Sequence, residues 1–332
     1  MTKKYDVYAI GNALVDMEYE VHEDFFAKNG IDKGLMTLVD EERQNFLLDA
    51  LGTAPKKQQC GGSAANSAIA IAQFGARSFY SCKVAKDPIG NFYYQDLQDN
   101  GVDSNLTYQD RDEGITGKCL VLITPDAERT MNTYLGITSS ISKTQLVPEA
   151  IRHSKYMYME GYLVASQTGR EAAIQARKIA EAAGVKTALT FSDVNMVKFF
   201  REGLRDMIGD GVDLLFTNLA EARAFSETDD FEETKERLKL IAKTFVITRG
   251  ELGAIVYDGE KFTEIEACKI KAVDSNGAGD MFAGAFLYAI TTGHNFEAAG
   301  RLAVLAASRV VAQFGPRLKT ETMHELKKQI LG

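Results

Sequence analysis

Short runs of β-branched and aromatic residues alternate with longer segments of helical periodicity through most of this chain. The candidate strands are Tyr5–Gly11, Ser78–Val84, Lys155–Glu160, Lys186–Phe191, Val212–Thr217 and Thr244–Thr248. Apolar residues at helical spacing fill the segments between them, which are Asp40–Leu51, Ala64–Phe74, Thr168–Ala183, Met196–Ile208 and Glu232–Ala242. Such alternation favours parallel strands covered by helices on both faces. The pattern therefore predicts an α/β fold with a mostly parallel sheet.

Two stretches, Met17–Val39 and Gly114–Gly136, interrupt this alternation with consecutive short strands and no predicted helix between them. In Lys118–Pro125 both alternating faces are apolar, which indicates a strand covered on both sides. We expect residues 16–39 and 114–136 to pair into a small β-sheet lid, and 1–15, 40–113 and 137–332 to form the large α/β domain. The alternative is an ordinary edge extension of the main sheet.

Charge and composition exclude several classes of protein. Among 332 residues, 38 are Lys or Arg and 46 are Asp or Glu, so the formal net charge is −8. An acidic chain of this kind argues against nucleic-acid or membrane partners. The N-terminal segment lacks the apolar core of a secretory signal, so we expect a cytoplasmic protein. The four cysteines and four histidines are widely spaced, which argues against a disulfide frame, a zinc site or a histidine-based triad.

The segment Ala272–Ile290 carries the most chemical information. Gly277, Ala278 and Gly279 precede a strongly apolar helix, and their small side chains leave backbone N–H groups open to an anion such as phosphate. Asp280 would repel a phosphate in a plain anion site, but it fits a site in which an acceptor hydroxyl must lose its proton. The alternative is a glycine-tightened turn whose aspartate merely favours the helix dipole.

Two motifs resemble those of the ribokinase-like (PfkB) carbohydrate and nucleoside kinases. Asp274–Asp280, DSNGAGD, is similar to the family motif D-T-x-G-A-G-D, with Ser275 in place of threonine. Gly61-Gly62 followed by Asn66 matches the second family motif, about 210 residues earlier. The resemblance implies a three-layer α/β/α domain with a mostly parallel sheet and a small lid. It also implies transfer of a phosphoryl group from ATP, with Mg²⁺, to an alcohol, with Asp280 as the base.

The resemblance places the acceptor's hydroxyls on Asp16, Gly61, Gly62 and Asn66. The residue types suit this role, since a carboxylate accepts two neighbouring hydroxyls and an amide both donates and accepts. Glycines let the backbone approach a ligand closely. If Ser63 caps the helix, Asn66 lies in its first turn. From the residues alone, Asp16 is equally a turn residue and Asn66 a solvated one.

On the nucleotide side, Asn218 and Glu221 resemble the family's N-x-x-E element, which organises Mg²⁺ and phosphate through water. The same spacing also predicts a helix capping box, and both roles are compatible. Thr248 and Gly250 resemble the T-x-G turn beside the triphosphate.

Arg129 and Asp274 complete the predicted set. Arg129 lies on a lid strand and is a candidate for supplying charge to the phosphoryl group, the alternative being an exposed arginine in a hairpin. Asp274 is a candidate metal residue, and the resemblance makes a monovalent cation such as K⁺ a candidate activator near its loop.

The opening GNALVDMEYEV and the motif GGSAAN look closer to the adenosine-kinase-like branch of the family than to ribokinase proper. They favour a purine nucleoside phosphorylated at its 5′-hydroxyl, with Met36, Met131 and Tyr134 as candidates to pack against the base. A kinase of ribose, fructose or a related sugar is the alternative, and a non-catalytic nucleotide or sugar sensor is a third. The expected partners are the small-molecule substrate and ATP, and either a monomer or a homodimer is compatible with the sequence.

Overall fold

Two β-sheets and the helices around the larger one make up the computed structural model, which describes residues 3–34, 36–125 and 129–332. The strands in chain order are β1 Tyr5–Ile10, β2 Leu14–Glu20, β3 Met36–Leu38, β4 Lys57–Gly61, β5 Ser78–Ser81, β6 Asp103–Ser104, β7 Thr116–Ile123, β8 Arg129–Gly136, β9 Ser154–Glu160, β10 Lys186–Thr190, β11 Val212–Asn218, β12 Ala242–Thr248, β13 Ala254–Tyr257 and β14 Phe262–Ile265. The α-helices are α1 Asp24–Asn29, α2 Glu41–Leu51, α3 Ser63–Gln73, α4 Pro88–Asp99, α5 Pro148–Arg152, α6 Gln167–Ala182, α7 Val194–Ile208, α8 Leu219–Ser226, α9 Phe231–Leu238, α10 Ala278–Thr291, α11 Phe296–Val311 and α12 Thr320–Leu331.

The large sheet has the strand order β14-β13-β12-β11-β10-β9-β1-β5-β6. All pairs from β6 to β12 are parallel, and only β13 and β14 join antiparallel. Side chains on one face pack into a core with α3, α10 and α11, and those on the other face pack with α5 to α9. This arrangement confirms the predicted three-layer α/β/α domain with a mostly parallel sheet. No helix in the part of the chain that the structure describes is long and apolar enough to cross a membrane.

The small sheet has the order β3-β8-β7-β2-β4, and the two predicted interruptions supply four of its strands. Three details differ from the expectation. The six-residue helix α1 lies between β2 and β3, where only strands were predicted. The fifth strand, β4, comes from the segment assigned to the large domain and pairs with β2. Strand β2 itself begins at Leu14, two residues before the predicted boundary.

The central strand β7 is covered on both faces, as its two apolar faces predicted. Leu120 and Leu122 pack into the main core below the small sheet. Cys119, on the opposite face, is buried and lines a cavity between the two sheets. The small sheet therefore forms one wall of a cleft.

Helices α3 and α10 pack unusually closely. A Cβ at Gly284 would lie 2.7 Å from Ala70 Cβ and 2.8 Å from the Ser67 carbonyl oxygen. One turn earlier on each helix, the Ser67 hydroxyl donates to the Asp280 carbonyl oxygen at 3.0 Å. The two helices therefore begin side by side, which brings the GGSAAN and DSNGAGD segments together.

Candidate active site

A cavity of about 490 Å³ lies between the large sheet and the small one. Its floor includes Glu160, Thr190, Asn218 and Thr248, the last residues of β9, β10, β11 and β12. The carboxyl ends of parallel strands are where open α/β sheets bind ligands. The small sheet contributes the facing wall, and Asp280 with the start of α10 lines the same space.

Asp280 lies in the first turn of α10, and both of its carboxylate oxygens accept hydrogen bonds. Oδ1 accepts from the Ser63 hydroxyl at 2.6 Å, and Oδ2 accepts from the Asn66 amide at 2.9 Å. Burial raises the pKa of Asp280, and these two hydrogen bonds together with the charge of Arg317 oppose the rise. Ser63 does not cap α3 as predicted, because Gly62 holds that position with a φ of 106°.

The three small residues before Asp280 have different roles. Gly277 has a φ of 75°, and a Cβ there would lie 2.2 Å from Pro316 Cβ, so the turn requires glycine. A Cβ at Gly279 would meet nothing within 4 Å. Gly277 and Gly279 line the cavity, and their amides donate no hydrogen bond to any residue that the structure describes. The Ala278 amide differs from expectation, since it already donates to the Ser275 carbonyl at 3.3 Å within the turn.

The predicted acceptor residues surround one corner of the cavity. Asp16, Gly62 and Asn66 line it. Burial raises the pKa of Asp16 to about 7, against the opposing charges of Arg317 and Arg129. Gly61 lies behind Asp16, where a Cβ would approach Asp16 Oδ2 to 2.9 Å. At Gly62 a Cβ would lie 2.2 Å from the Asn12 carbonyl oxygen, so both glycines are required by close packing.

Asn218 and Glu221 form a complete capping box at the start of α8. The Asn218 side chain accepts from the Glu221 amide at 2.9 Å, and Glu221 Oε2 accepts from the Asn218 amide at 2.9 Å. Glu221 Oε1 also accepts from the Asn218 side-chain amide at 2.7 Å. Burial raises the pKa of Glu221 to about 7. Both residues also line the cavity, so the structural role leaves room for a second role toward a ligand.

The strand β12 ends at the cavity, where Thr248 lines it. Gly250 follows at the start of the 3₁₀ turn Gly250–Leu252, with a φ of 58° and an exposed backbone. It lies outside the residues that line the cavity. Of the predicted pair, the structure therefore brings only Thr248 to the cavity wall.

Arg129 and Asp274 form an ion pair that joins the small sheet to the glycine loop, residues 274–279. Arg129 Nη1 lies 2.7 Å from Asp274 Oδ2, and the two side chains are 13% and 7% exposed. The guanidinium also stacks over the Phe314 ring at 5.3 Å. Arg129 is therefore not an exposed hairpin residue.

Asp274 has further partners, since it accepts from the amides of Asn276 and Gly315, each at 3.0 Å. Within residues 3–34, 36–125 and 129–332, no three His, Cys, Asp or Glu side chains come together in a way that could hold a metal ion. The predicted metal residues Asp274 and Glu221 thus do not form a shared site of direct ligands.

Two residues of the site, Glu160 and Arg317, were not predicted from the sequence. Glu160 is fully buried and accepts from the amides of Asn12 at 2.7 Å and Ala64 at 2.9 Å. Burial raises its pKa to about 7. A glutamate ending an otherwise apolar strand was the available signal. For Arg317, a partner of Asn66, the sequence around it gives no signal.

An α/β/α domain closed by a small sheet, with a carboxylate beside the glycine start of a helix, is an architecture suited to moving a phosphoryl group onto a small molecule. The family described as pfkB family carbohydrate kinase matches residues 53–323. The chain belongs to this family. Its members are phosphotransferases that use an alcohol group as acceptor, and so is this protein.

Similar proteins include both adenosine kinases and sugar kinases. Adenosine kinase 2 of Arabidopsis thaliana is 27% identical, with 95% of this chain and 96% of that protein covered. A 5-dehydro-2-deoxygluconokinase of Geobacillus thermodenitrificans is 25% identical over 81% of this chain and 83% of that protein. The solved structure of an adenosine kinase from Sinorhizobium meliloti is 35% identical, with a TM-score of 0.88, 98% of this chain and 99% of that chain covered. A probable sugar kinase from Rhizobium etli CFN 42 is 34% identical, with a TM-score of 0.88 and 99% of each chain covered.

Proposed function

We propose that this protein transfers the terminal phosphoryl group of ATP to the 5′-hydroxyl of a purine nucleoside. The observation that carries the proposal is the placement of Asp280, with its two hydrogen-bond donors, in a cavity that Asp16, Asn66 and several apolar side chains also line. Asp16 and Asn66 would receive the ribose hydroxyls. The similar adenosine kinases support the choice of a nucleoside.

The apolar side chains in the cavity lining support an acceptor larger than a bare sugar. Met36, Met131 and Met196 line the cavity together with Leu38 and Phe216. Thioether and aromatic side chains pack well against flat, polarisable rings such as purines. Tyr134 does not belong to this group, because its hydroxyl donates to Glu41 at 3.2 Å on the other face of β8.

In the proposed reaction, the Asp280 carboxylate removes the proton of the acceptor hydroxyl while the hydroxyl oxygen forms a bond to the terminal phosphorus of ATP. The bond between that phosphorus and its bridging oxygen breaks, and ADP leaves with the bridging oxygen's electron pair. The free amides of Gly277 and Gly279 would donate to the phosphoryl oxygens. Preorganised donors of this kind contribute about 3–4 kcal/mol each to transition-state stabilisation.

Mg²⁺ would supply charge neutralisation for the triphosphate, as it does in phosphoryl transfer generally. Glu221 would hold it through water, because both carboxylate oxygens already accept hydrogen bonds from Asn218. Thr248, at the end of β12, and Asn218 would contact the phosphates. Arg129 would supply positive charge to the phosphates only on leaving its ion pair with Asp274, and K⁺ near the Asp274 loop is a further candidate.

The experiment is a panel of acceptors, each incubated with ATP and Mg²⁺ and followed by ADP release and phosphorus NMR of the product. We expect adenosine or another purine nucleoside to give the highest kcat/KM, with the phosphate on the 5′-oxygen. 5′-Deoxyadenosine is the matched control, since it keeps the base and the ring hydroxyls but lacks the acceptor oxygen. Equal or higher kcat/KM with free sugars would contradict the nucleoside proposal.

A sugar acceptor is the second candidate. It is favoured by the similarity to 5-dehydro-2-deoxygluconokinases and to a probable sugar kinase. For a sugar, Asp16 and Asn66 would bind the ring hydroxyls in the same way, and the apolar side chains of the lining would have no base to contact. The panel therefore includes ribose, fructose and 5-dehydro-2-deoxygluconate beside the nucleosides.

A further inference from the structure

Arg317 lies in the loop between α11 and α12, and its guanidinium contacts three elements around the cavity. Nε donates to Asn66 Oδ1 at 3.0 Å, and Nη1 donates to Asp96 Oδ2 at 2.6 Å. Nη2 donates to the Cys60 carbonyl oxygen at the end of β4. The side chain is 11% exposed. One largely buried guanidinium therefore joins α3, α4 and the small sheet.

The contact with Asn66 fixes which way its amide points. Because Oδ1 accepts from Arg317, Nδ2 is left to donate, and it donates to Asp280 Oδ2 at 2.9 Å. Without Arg317, the amide group of Asn66 would be free to rotate and turn its oxygen toward the carboxylate. Two oxygens in contact repel, so the rotated amide would displace Asp280 from its present position.

The three residues before Arg317 contact the glycine loop or the arginine paired with it. Phe314 lies under the Arg129 guanidinium, the Gly315 amide donates to Asp274, and Pro316 packs against Gly277. Residues 314–317 together thus contact Arg129, the glycine loop and Asn66. Arg317 is the member of this segment that reaches Asp280 through a single intervening side chain.

Four other titratable groups interact electrostatically with Asp280: the carboxyls of Asp16 and Glu160 and the phenols of Tyr158 and Tyr162. Burial raises the pKa of both phenols, so they carry no charge near neutral pH. Arg317 is the cation that favours the ionised form of Asp280, and burial acts in the opposite direction to raise its pKa. A base must be ionised to accept a proton, so the position of this cation matters for the reaction.

We propose that Arg317 is a positioning residue for phosphoryl transfer: by holding Asn66 it aims the Asn66 amide at Asp280 and maintains that carboxylate as an ionised base. This inference rests on the proposed role of Asp280. Arg317 itself does not line the cavity and would touch neither the acceptor nor ATP.

The test compares Arg317→Met, Arg317→Lys and Arg301→Met in pH profiles of kcat and kcat/KM, with ATP and the acceptor that wild type phosphorylates best. Arg301 is the matched control, since it forms a surface ion pair with Glu297 on α11 and is 62% exposed. We expect Arg317→Met to lower kcat by about tenfold to hundredfold, as misplacement of a reacting group does, with little change in the KM for ATP. The acid limb of the kcat pH profile of Arg317→Met moves to higher pH. Arg317→Lys restores the acid limb but only part of kcat, and Arg301→Met matches wild type.

A second measurement does not depend on the acceptor. Carbon-13 NMR of aspartate-labelled protein follows the Asp280 carboxyl, assigned by its absence in Asp280→Asn. We expect the pKa of Asp280 to be higher in Arg317→Met than in wild type. If Arg317→Met folds with an unchanged kcat profile and an unchanged Asp280 titration, the inference is wrong. If Asp280→Asn retains wild-type activity, the proposed base is wrong and the inference fails with it.

Discussion

At the scale of single residues, Asp280 carries most of the proposed chemistry. Its two hydrogen-bond donors, Ser63 and Asn66, hold the carboxylate without a direct ion pair among the described residues, so it remains available to accept a proton. An aspartate in a helix's first turn is ordinary. Its placement beside the Gly277 and Gly279 amides, which donate to none of the described residues, and beside Asp16 and Asn66 is what distinguishes this one from a capping residue.

Replacing Asp280 with Asn tests that role. The amide keeps the shape and still accepts from Ser63, but it cannot take a proton from a hydroxyl, so we expect kcat to fall about 10²- to 10⁴-fold. The Kd values for nucleotide and acceptor should stay nearly unchanged. Isothermal calorimetry and steady-state kinetics measure the two effects separately. Asp210→Asn, at an exposed position, is the control. Turnover within tenfold of wild type would contradict the assignment.

At the scale of elements, the sequence predicted some features well and others poorly. The interior strands of the large sheet were predicted because burial on both faces makes them short apolar runs. Strand β4 was missed because Lys57–Gly61, the edge of the small sheet, contains Lys, Gln and Gln. Helix α2 was predicted over Asp40–Leu51 and spans Glu41–Leu51, but its apolar residues do not all face the core, since Phe46 and Ala50 are exposed whereas Gln44 is buried.

The sequence identified individual residues of the candidate site, but not the hydrogen bonds between them. The two motifs identify Asn66 and Asp280, yet 214 residues separate them along the chain. Their hydrogen bond depends on how closely α3 and α10 approach, and Gly284 permits that approach. Arg317 is recognisable only once three separate elements are seen to meet at its guanidinium. A single sequence cannot show such a meeting, because periodicity reports only local structure.

The spacing of α3 and α10 gives a prediction at this scale. Gly284→Val would place a branched side chain where a Cβ already meets Ala70 and Ser67 within 2.8 Å. Overpacking of this kind costs about 1–3 kcal/mol. We expect a lower free energy of unfolding in urea together with a reduced kcat, because the helices separate and Asp280 moves from Asn66. Ala50→Val, on an exposed helix face, should leave both values close to wild type. A destabilised Gly284→Val enzyme with full kcat would show that the helix spacing does not control the site.

At the scale of the whole molecule, contacts between distant parts of the chain join the walls of the cleft. Arg129 ties the small sheet to the Asp274 loop, and residues 314–317 join that loop to α3 and β4. The cleft also contains buried carboxyl groups. Glu160, the last residue of the interior strand β9, is fully buried, and burial raises its pKa from 4.5 to about 7.

This buried carboxyl predicts how stability depends on pH. A group whose pKa is higher in the folded state stabilises the fold below its unfolded pKa, and that stabilisation is lost as the pH rises through the folded value. For Glu160 the window therefore runs from about 4.5 to about 7. Between pH 6 and pH 8 we expect this group alone to lower the free energy of unfolding by about 1 kcal/mol. Asp16, with its pKa raised to about 7, contributes in the same direction.

Urea unfolding at pH 6, 7 and 8 measures the effect in wild type, Glu160→Gln and Glu202→Gln. The amide introduced by Glu160→Gln cannot ionise, so we expect the pH slope to decrease by about the contribution of one group, although the protein is less stable at every pH. That overall loss arises because the backbone amides of Asn12 and Ala64 each donate to a different Glu160 oxygen, so one of them would meet the NH₂ group of the glutamine. Glu202, 86% exposed, is the control and should keep the wild-type slope. Equal slopes in all three proteins would mean that Glu160 is ionised throughout this range, with the two backbone amides outweighing the cost of its burial.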